Sequence, residues 1–271
     1  MSTSGAIDTI MPGSSSFVER AGRRVTSAMN IVGGVSCLAK EAARCLFVFR
    51  FEFRELMHQI LMVGNRSLSI VSLIALFTGL VMALQLSVGL GRFGLKLYVG
   101  QMVGLAIFRE LGPVLTSLMV AARVGSSIAA ELGSMVVTEQ VLAIEAMGAN
   151  PVQKLVVPRV VATVIATPIL AVMANVIGVF GGMIIAVREA GVTPRFYVNQ
   201  ITSTILMEDF VSGLVKTFFF GLFIAIISCY QGLMTTGGTE GVGKATTRAV
   251  VYSSMAIFIS DFFLTKLIIY F

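Results

Sequence analysis

The chain has 271 residues, of which 56% are hydrophobic and 13% charged, and its mean hydropathy is +0.92. Soluble domains average roughly 45–50% apolar and about 25% charged, so this composition belongs to an integral membrane protein with no room for a second large soluble domain. The net charge of +6 comes without a basic run interleaved with aromatics, which points to membrane orientation and lipid headgroups rather than nucleic acid.

Residues 1–16 are rich in Ser and Gly and are expected to form a disordered tail. The start, Met-Ser-Thr-Ser-Gly-Ala-Ile-Asp, has neither a basic opening nor an apolar stretch, so a cleaved signal peptide is not expected. Residues 17–66 mix apolar residues with Arg20, Arg23, Arg24, Lys40, Arg44, Arg50, Arg54 and Arg66, and hold no uncharged run long enough to span. Within them 38–62, with Phe47, Phe49, Phe51 and Phe53 among arginines, suits a helix lying in the membrane interface. A soluble cap is the plainer alternative.

The membrane domain is expected over 67–271. Residues 67–91 form an uncharged run of 25, against the roughly 20 that a spanning helix needs. A second apolar segment, 101–130, is interrupted by Arg109, Glu110 and Arg123. A third, 160–187, contains Pro168, and 217–239 and 249–271 complete five expected spans. Basic residues set the orientation. With a cytoplasmic N-terminus, residues 1–66 and the loops carrying Lys154, Arg159, Lys244 and Arg248 hold twelve. The opposite loops hold five: Arg92, Lys96, Arg188, Arg195 and Lys216.

Small residues recur every fourth position, as Ala121, Gly125, Ala129 and Gly133, as Ala122, Ser126, Ala130 and Ser134, and as Ala174, Gly178, Gly182 and Ala186. Such rows let helix backbones approach closely where lipid removes the hydrophobic drive. They serve either a dimer seam, with Gly125, Ala129, Gly133, Gly178 and Gly182 at its centre, or packing within one bundle. Charges at membrane depth are costly and usually functional. Arg109 at that depth could hold a phosphate with its planar fork, whereas at the interface it would only snorkel. Arg123 and Glu131 fall on one side of the same helix.

Residues 138–147 read as a short helix between two spans, with Thr138 as N-cap, Glu139 in the first turn and Gly148 just past its end. Val141, Ile144 and Met147 would line one side, leaving Glu139 and Glu145 to solvent or a partner. The stretch Gly238-Thr-Glu-Gly-Val-Gly243-Lys244-Ala245 approaches a phosphate-binding loop, but Ala245 lacks the hydroxyl and no strand is expected before it. ATP and Mg are therefore expected on a separate subunit. Three cysteines (Cys37, Cys45 and Cys229) read as packing residues, and the single histidine, His58, argues against a histidine-built metal site or a Ser-His-Asp triad.

Phe108-Arg-Glu-Leu-Gly-Pro-Val114, Ala122-Arg-Val-Gly-Ser-Ser-Ile-Ala-Ala-Glu-Leu-Gly133, Thr138-Glu-Gln140 and Glu145-Ala-Met-Gly148 resemble the MlaE family of ABC-transporter permeases. Val157-Pro158-Arg159, Gly237-Gly238, the run from Gly243 to Val251, and Asp261-Phe-Phe-Leu-Thr265 extend the likeness, which covers about residues 60–271. Ala122 stands where a glycine is expected. The resemblance implies an all-α permease with five transmembrane helices, an N-terminal interfacial elbow helix and a short cytoplasmic coupling helix. It further implies a homodimer in the bacterial inner membrane, paired with a cytoplasmic ATPase, an MCE-domain lipid-binding protein and, in many members, a STAS-domain protein. The cargo would be phospholipid or a related lipid, moved between inner and outer membranes. Carried over by position, Arg109 and Glu110 would be the charged pair at the lipid cavity. Glu139, Gln140, Val141, Ile144, Glu145 and Met147 would belong to the coupling helix. Two readings compete: a proton-coupled secondary transporter using Glu110, Arg123 or Asp261, and a membrane lipid enzyme, for which the carboxylates are too scattered.

Overall fold

The computed structural model describes residues 16–48 and 53–270, and every regular element within them is helical. Of the tail expected over 1–16, residues 1–15 lie outside the described residues, as does the Phe/Arg segment at 49–52, and Ser16 opens the first helix. In chain order the helices are α1 (Ser16–Val48), α2 (Phe53–Gly91), α3 (Lys96–Val137), α4 (Gln140–Ala146), α5 (Val152–Ala190), α6 (Pro194–Thr204), α7 (Met207–Leu233) and α8 (Gly238–Tyr270). Five of them, α2, α3, α5, α7 and α8, are long and apolar enough to cross a membrane. The chain is an all-α membrane protein.

All five spans are longer than the apolar segments that announce them. α1 ends at Val48 and α2 begins at Phe53, so the described residues of the segment 38–62 are helical on both sides of 49–52. α7 begins at Met207 and takes Lys216 inside the span, which removes it from the loop residues counted for orientation. α8 begins at Gly238, so the glycine-rich stretch before Ala245 is helix that follows another helix. Span ends drawn at charges fall short because several of these charges are paired inside the bundle.

Successive spans alternate in direction. Thus α4 and the turn at 234–237 lie at one end, and α6 and the turn at 92–95 at the other. α2 packs along α5, α5 against α7, and α7 against both α3 and α8. One apolar core, with Val120, Leu132, Phe220, Ile224 and Ile257, runs through the middle and toward the α4 end. A second, with Val103, Ile107, Tyr197 and Ile201, closes the α6 end. α1 adds Leu38 and Ala42 to the first core, and its Gly34 abuts the ring of Tyr230.

The small-residue rows account for the close approaches. A Cβ on Gly125 would come 2.8 Å from Ser228 Oγ, and one on Gly133 would come 2.8 Å from Thr235 Oγ1. Ala129 is fully buried, its carbonyl against Gly232 of α7. Gly178 faces the Ala75 carbonyl of α2, and Gly182 faces Tyr197. At these five positions the rows pack helices within one chain. Burial also holds the Tyr197 phenol well above its usual pKa.

Candidate functional site

α3 is not a uniform α-helix. It widens into π turns at Ile107–Leu111 and Ala121–Gly125, and these carry Arg109, Glu110 and Arg123. Single π turns inside α-helices occur frequently at functional sites. Gly112 and Pro113 follow the first one directly. A side chain at Gly112 would collide with Asn175 Oδ1 of α5, so only glycine lets the two helices meet there. Pro113 has no N–H, which deprives the Arg109 carbonyl of its ordinary i+4 donor.

Lys216 of α7 supplies the missing donor. Its Nζ donates to the Arg109 carbonyl at 3.2 Å, to Glu110 Oε1 at 2.9 Å and to Thr265 Oγ1 of α8 at 2.7 Å. An ammonium has three N–H bonds, and all are used. Asp261 Oδ1 of α8 lies 3.2 Å away as an ion contact, off the hydrogen-bond axis. The Lys216 side chain is 3% exposed, and only this set of acceptors makes a buried ammonium tolerable.

Beside it, Asp209 at the start of α7 has two tasks. Oδ2 accepts the Leu206 N–H at 3.1 Å and caps the helix, while Oδ1 takes Arg109 Nε and Nη2, both at 2.6 Å. One edge of the guanidinium is therefore fixed. The Arg109 side chain as a whole is 51% exposed, so the remaining N–H groups are open to a ligand. The cluster holds two cations and three carboxylates drawn from three spans.

Arg109 and Glu110 thus come together as neighbours in one cluster, although Glu110 is committed to Lys216. Asp209, Lys216 and Thr265 went unnoticed as site residues in the sequence. Two signals pointed to them: a lone lysine within an otherwise apolar run, and Asp261 with Thr265 four apart on one helix face.

At the opposite end the loop helix is shorter and more tightly held than expected. Thr138 is not its N-cap, because its hydroxyl donates to the Ser134 carbonyl at 2.9 Å and so finishes α3. Glu139 takes that position in the left-handed region at φ 59°, and its carbonyl accepts from Ala143 at 3.0 Å. Gly148, at φ 76°, closes the helix: its N–H reaches the Glu145 carbonyl at 2.8 Å, and that of Ala149 reaches Ile144 at 3.2 Å. This pair of bonds is a Schellman motif. Asn150 then accepts from Val152 at 2.8 Å and starts α5. Val141 and Ile144 turn half-buried toward the bundle, whereas Glu139, Gln140 and Glu145 are exposed. The outermost apolar side chains are Leu142, 61% exposed, and Met147, 73% exposed.

Residues 56–267 match the family model described as Permease MlaE. The chain belongs to the MlaE permease family. A probable ABC transporter permease protein of Rickettsia typhi is 43% identical over 79% of this chain and 82% of its own length. The intermembrane phospholipid transport system permease protein MlaE of Haemophilus influenzae is 33% identical over 93% of this chain and 97% of that protein. The chloroplastic protein TRIGALACTOSYLDIACYLGLYCEROL 1 of Arabidopsis thaliana is 37% identical over 80% of this chain and 62% of its own length. As an MlaE-family member the chain is a multi-pass membrane protein with a permease role.

Proposed function

We propose that this permease works as a homodimer in the bacterial inner membrane and carries phospholipid between inner and outer membranes, sustaining outer-membrane lipid asymmetry. It has no catalysis of its own. ATP and Mg act on a partner ATPase that presses on α4, and an MCE-domain protein, with a STAS-domain protein in some assemblies, completes the complex.

The observation that carries this reading is the state of Arg109. It sits in membrane-spanning sequence with one edge held by Asp209 and the rest of its fork open. A phosphodiester is one of the anions that such a planar fork suits, and the phospholipid transport named for the Haemophilus relative favours it over a carboxylate. The neighbouring Lys216, its three N–H bonds taken by three acceptors and its charge also met by Asp261, stiffens the wall and competes little for the same phosphate.

Replacing Arg109 with Ala is expected to lower the lipid phosphorus that copurifies with the protein several-fold, with Arg109→Lys retaining an intermediate amount. Equal phosphorus in all three proteins would remove Arg109 from the lipid path. A buried lysine between two carboxylates also suits a proton relay, and the ATP dependence treated in the Discussion separates that reading from this one.

A further inference from the structure

The charge cluster uses one of the two arginines on the π turns of α3. The other, Arg123, lines an open cavity of about 330 Å³ between α2, α3 and α5 in the half of the bundle nearer α4. His58 and Arg66 from α2, Arg123 and Glu131 from α3, and Arg159 from α5 stand in its wall. Three guanidinium groups against one carboxylate leave that wall positive whether or not His58 is protonated.

The carboxylate is already engaged. Glu131 Oε2 lies 3.3 Å from Arg159 Nη2, and Oε1 accepts from the Ser127 hydroxyl at 3.2 Å. Among the described residues no carboxylate pairs with Arg66 or Arg123. Two buried polar atoms of the wall residues also lack a hydrogen-bond partner: Ser67 Oγ, and Nη1 of Arg159, a residue only 9% exposed. Buried donors without acceptors are rare in folded proteins. An anion in the cavity would provide what these groups lack.

We propose that this cavity binds the phosphate of a phospholipid headgroup and forms a second headgroup station, distinct from the one at Arg109. The inference rests on the phospholipid-permease reading. Arg109 and Arg123 are 14 positions apart, roughly 21 Å along a helix. That distance covers most of a hydrocarbon core about 30 Å thick, so the two stations lie toward opposite leaflets. Met62, Val124 and Ile128 in the same wall give the glycerol and upper acyl carbons an apolar surface. A free phosphate ion would not need that surface.

The test uses the full chain with its copurifying subunits, in nanodiscs of phosphatidylethanolamine and phosphatidylglycerol. After extraction, the lipids retained per protomer are counted by native mass spectrometry. The Arg66→Gln/Arg123→Gln double variant is expected to retain about half the lipid, since the Arg109 station is intact. Arg66→Lys/Arg123→Lys should keep most of it because the positive charge persists. Both arginines are exposed, so the chain should fold with either pair of changes, and an unaltered gel-filtration profile checks this. Unchanged retention in the Gln variant, with a loss in Arg109→Ala, overturns the second station and leaves the permease reading standing. Unchanged retention in both variants overturns the permease reading as well. In a parallel arm, inorganic phosphate is added to delipidated protein. Phosphorus NMR broadening that needs Arg66 and Arg123, with no lipid retained there, would assign the cavity to a free anion and overturn the lipid proposal.

Discussion

Lys216 and Arg109 are neighbours with opposite physical fates. The lysine is enclosed, and each of its N–H bonds has an acceptor; the arginine is clamped on one edge and open on the other. Removing a fully enclosed charge strands its partners, and breaking a buried ion pair by truncating one member costs about 3–5 kcal/mol. Lys216→Met is therefore expected to lower the temperature at which the detergent-purified protein loses its monodisperse gel-filtration peak. The triple variant Lys216→Met/Glu110→Gln/Asp261→Asn removes the stranded charges and should regain part of the loss. If Lys216→Met is as heat-stable as the parent, the ammonium does not hold α3, α7 and α8 together. The chain around Arg109 also gives the lysine a place, since Pro113 removes the ordinary i+4 donor to the Arg109 carbonyl and Lys216 donates to it instead.

At the scale of the element, α4 is a seven-residue helix, roughly 10 Å long, too short to be stable alone. Its form comes from what surrounds it: Thr138 ending α3, Glu139 in a left-handed turn, the Schellman closure at Gly148 and the Asn150 cap on α5. A short helix fixed at both ends transmits a push to the two spans it joins. Leu142 and Met147 project from it, flanked by Glu139 and Glu145. Leu142→Asp, and separately Glu139→Lys/Glu145→Lys, should reduce the amount of ATPase that copurifies with the permease while leaving the permease's own yield unchanged. Undiminished copurification in both would sink the coupling role of α4. Five spans could be read from the sequence because lipid forbids exposed backbone and demands long apolar runs. Their ends could not, because Lys216, Glu240 and Lys244 interrupt the runs: Lys216 is hidden by pairing with Glu110 of another span, and Glu240 and Lys244 pair with each other one turn apart on an exposed helix face. α6 escaped notice for the opposite reason. It is too polar and short for a span, although Thr193 before Pro194 is an N-cap with proline in the first turn, and the Thr193 hydroxyl does accept from Phe196 at 3.4 Å. The four-residue spacing of small residues foretold close helix approach. Which helix would approach could not be read, because a spacing names no partner.

For the whole molecule, the cluster at Arg109 lies toward the α6 end, and α4 closes the other. Between them α3 is continuous, with its two π turns as the irregular points along its length. Single π turns inside α-helices are frequent at functional sites, and these two carry Arg109 and Arg123. In the proposed assembly the work of transport comes from the partner ATPase. In vesicles holding fluorescent phospholipid, the permease reconstituted with its ATPase should transfer lipid to an acceptor only when ATP is hydrolysed, and the rate should be indifferent to a collapsed proton gradient. The permease alone should transfer none above the protein-free rate. Transfer that persists without nucleotide and stops when the gradient is dissipated would instead make Glu110, Lys216 and Asp261 a proton path, since those three groups form the one cluster of the described residues that bridges α3, α7 and α8.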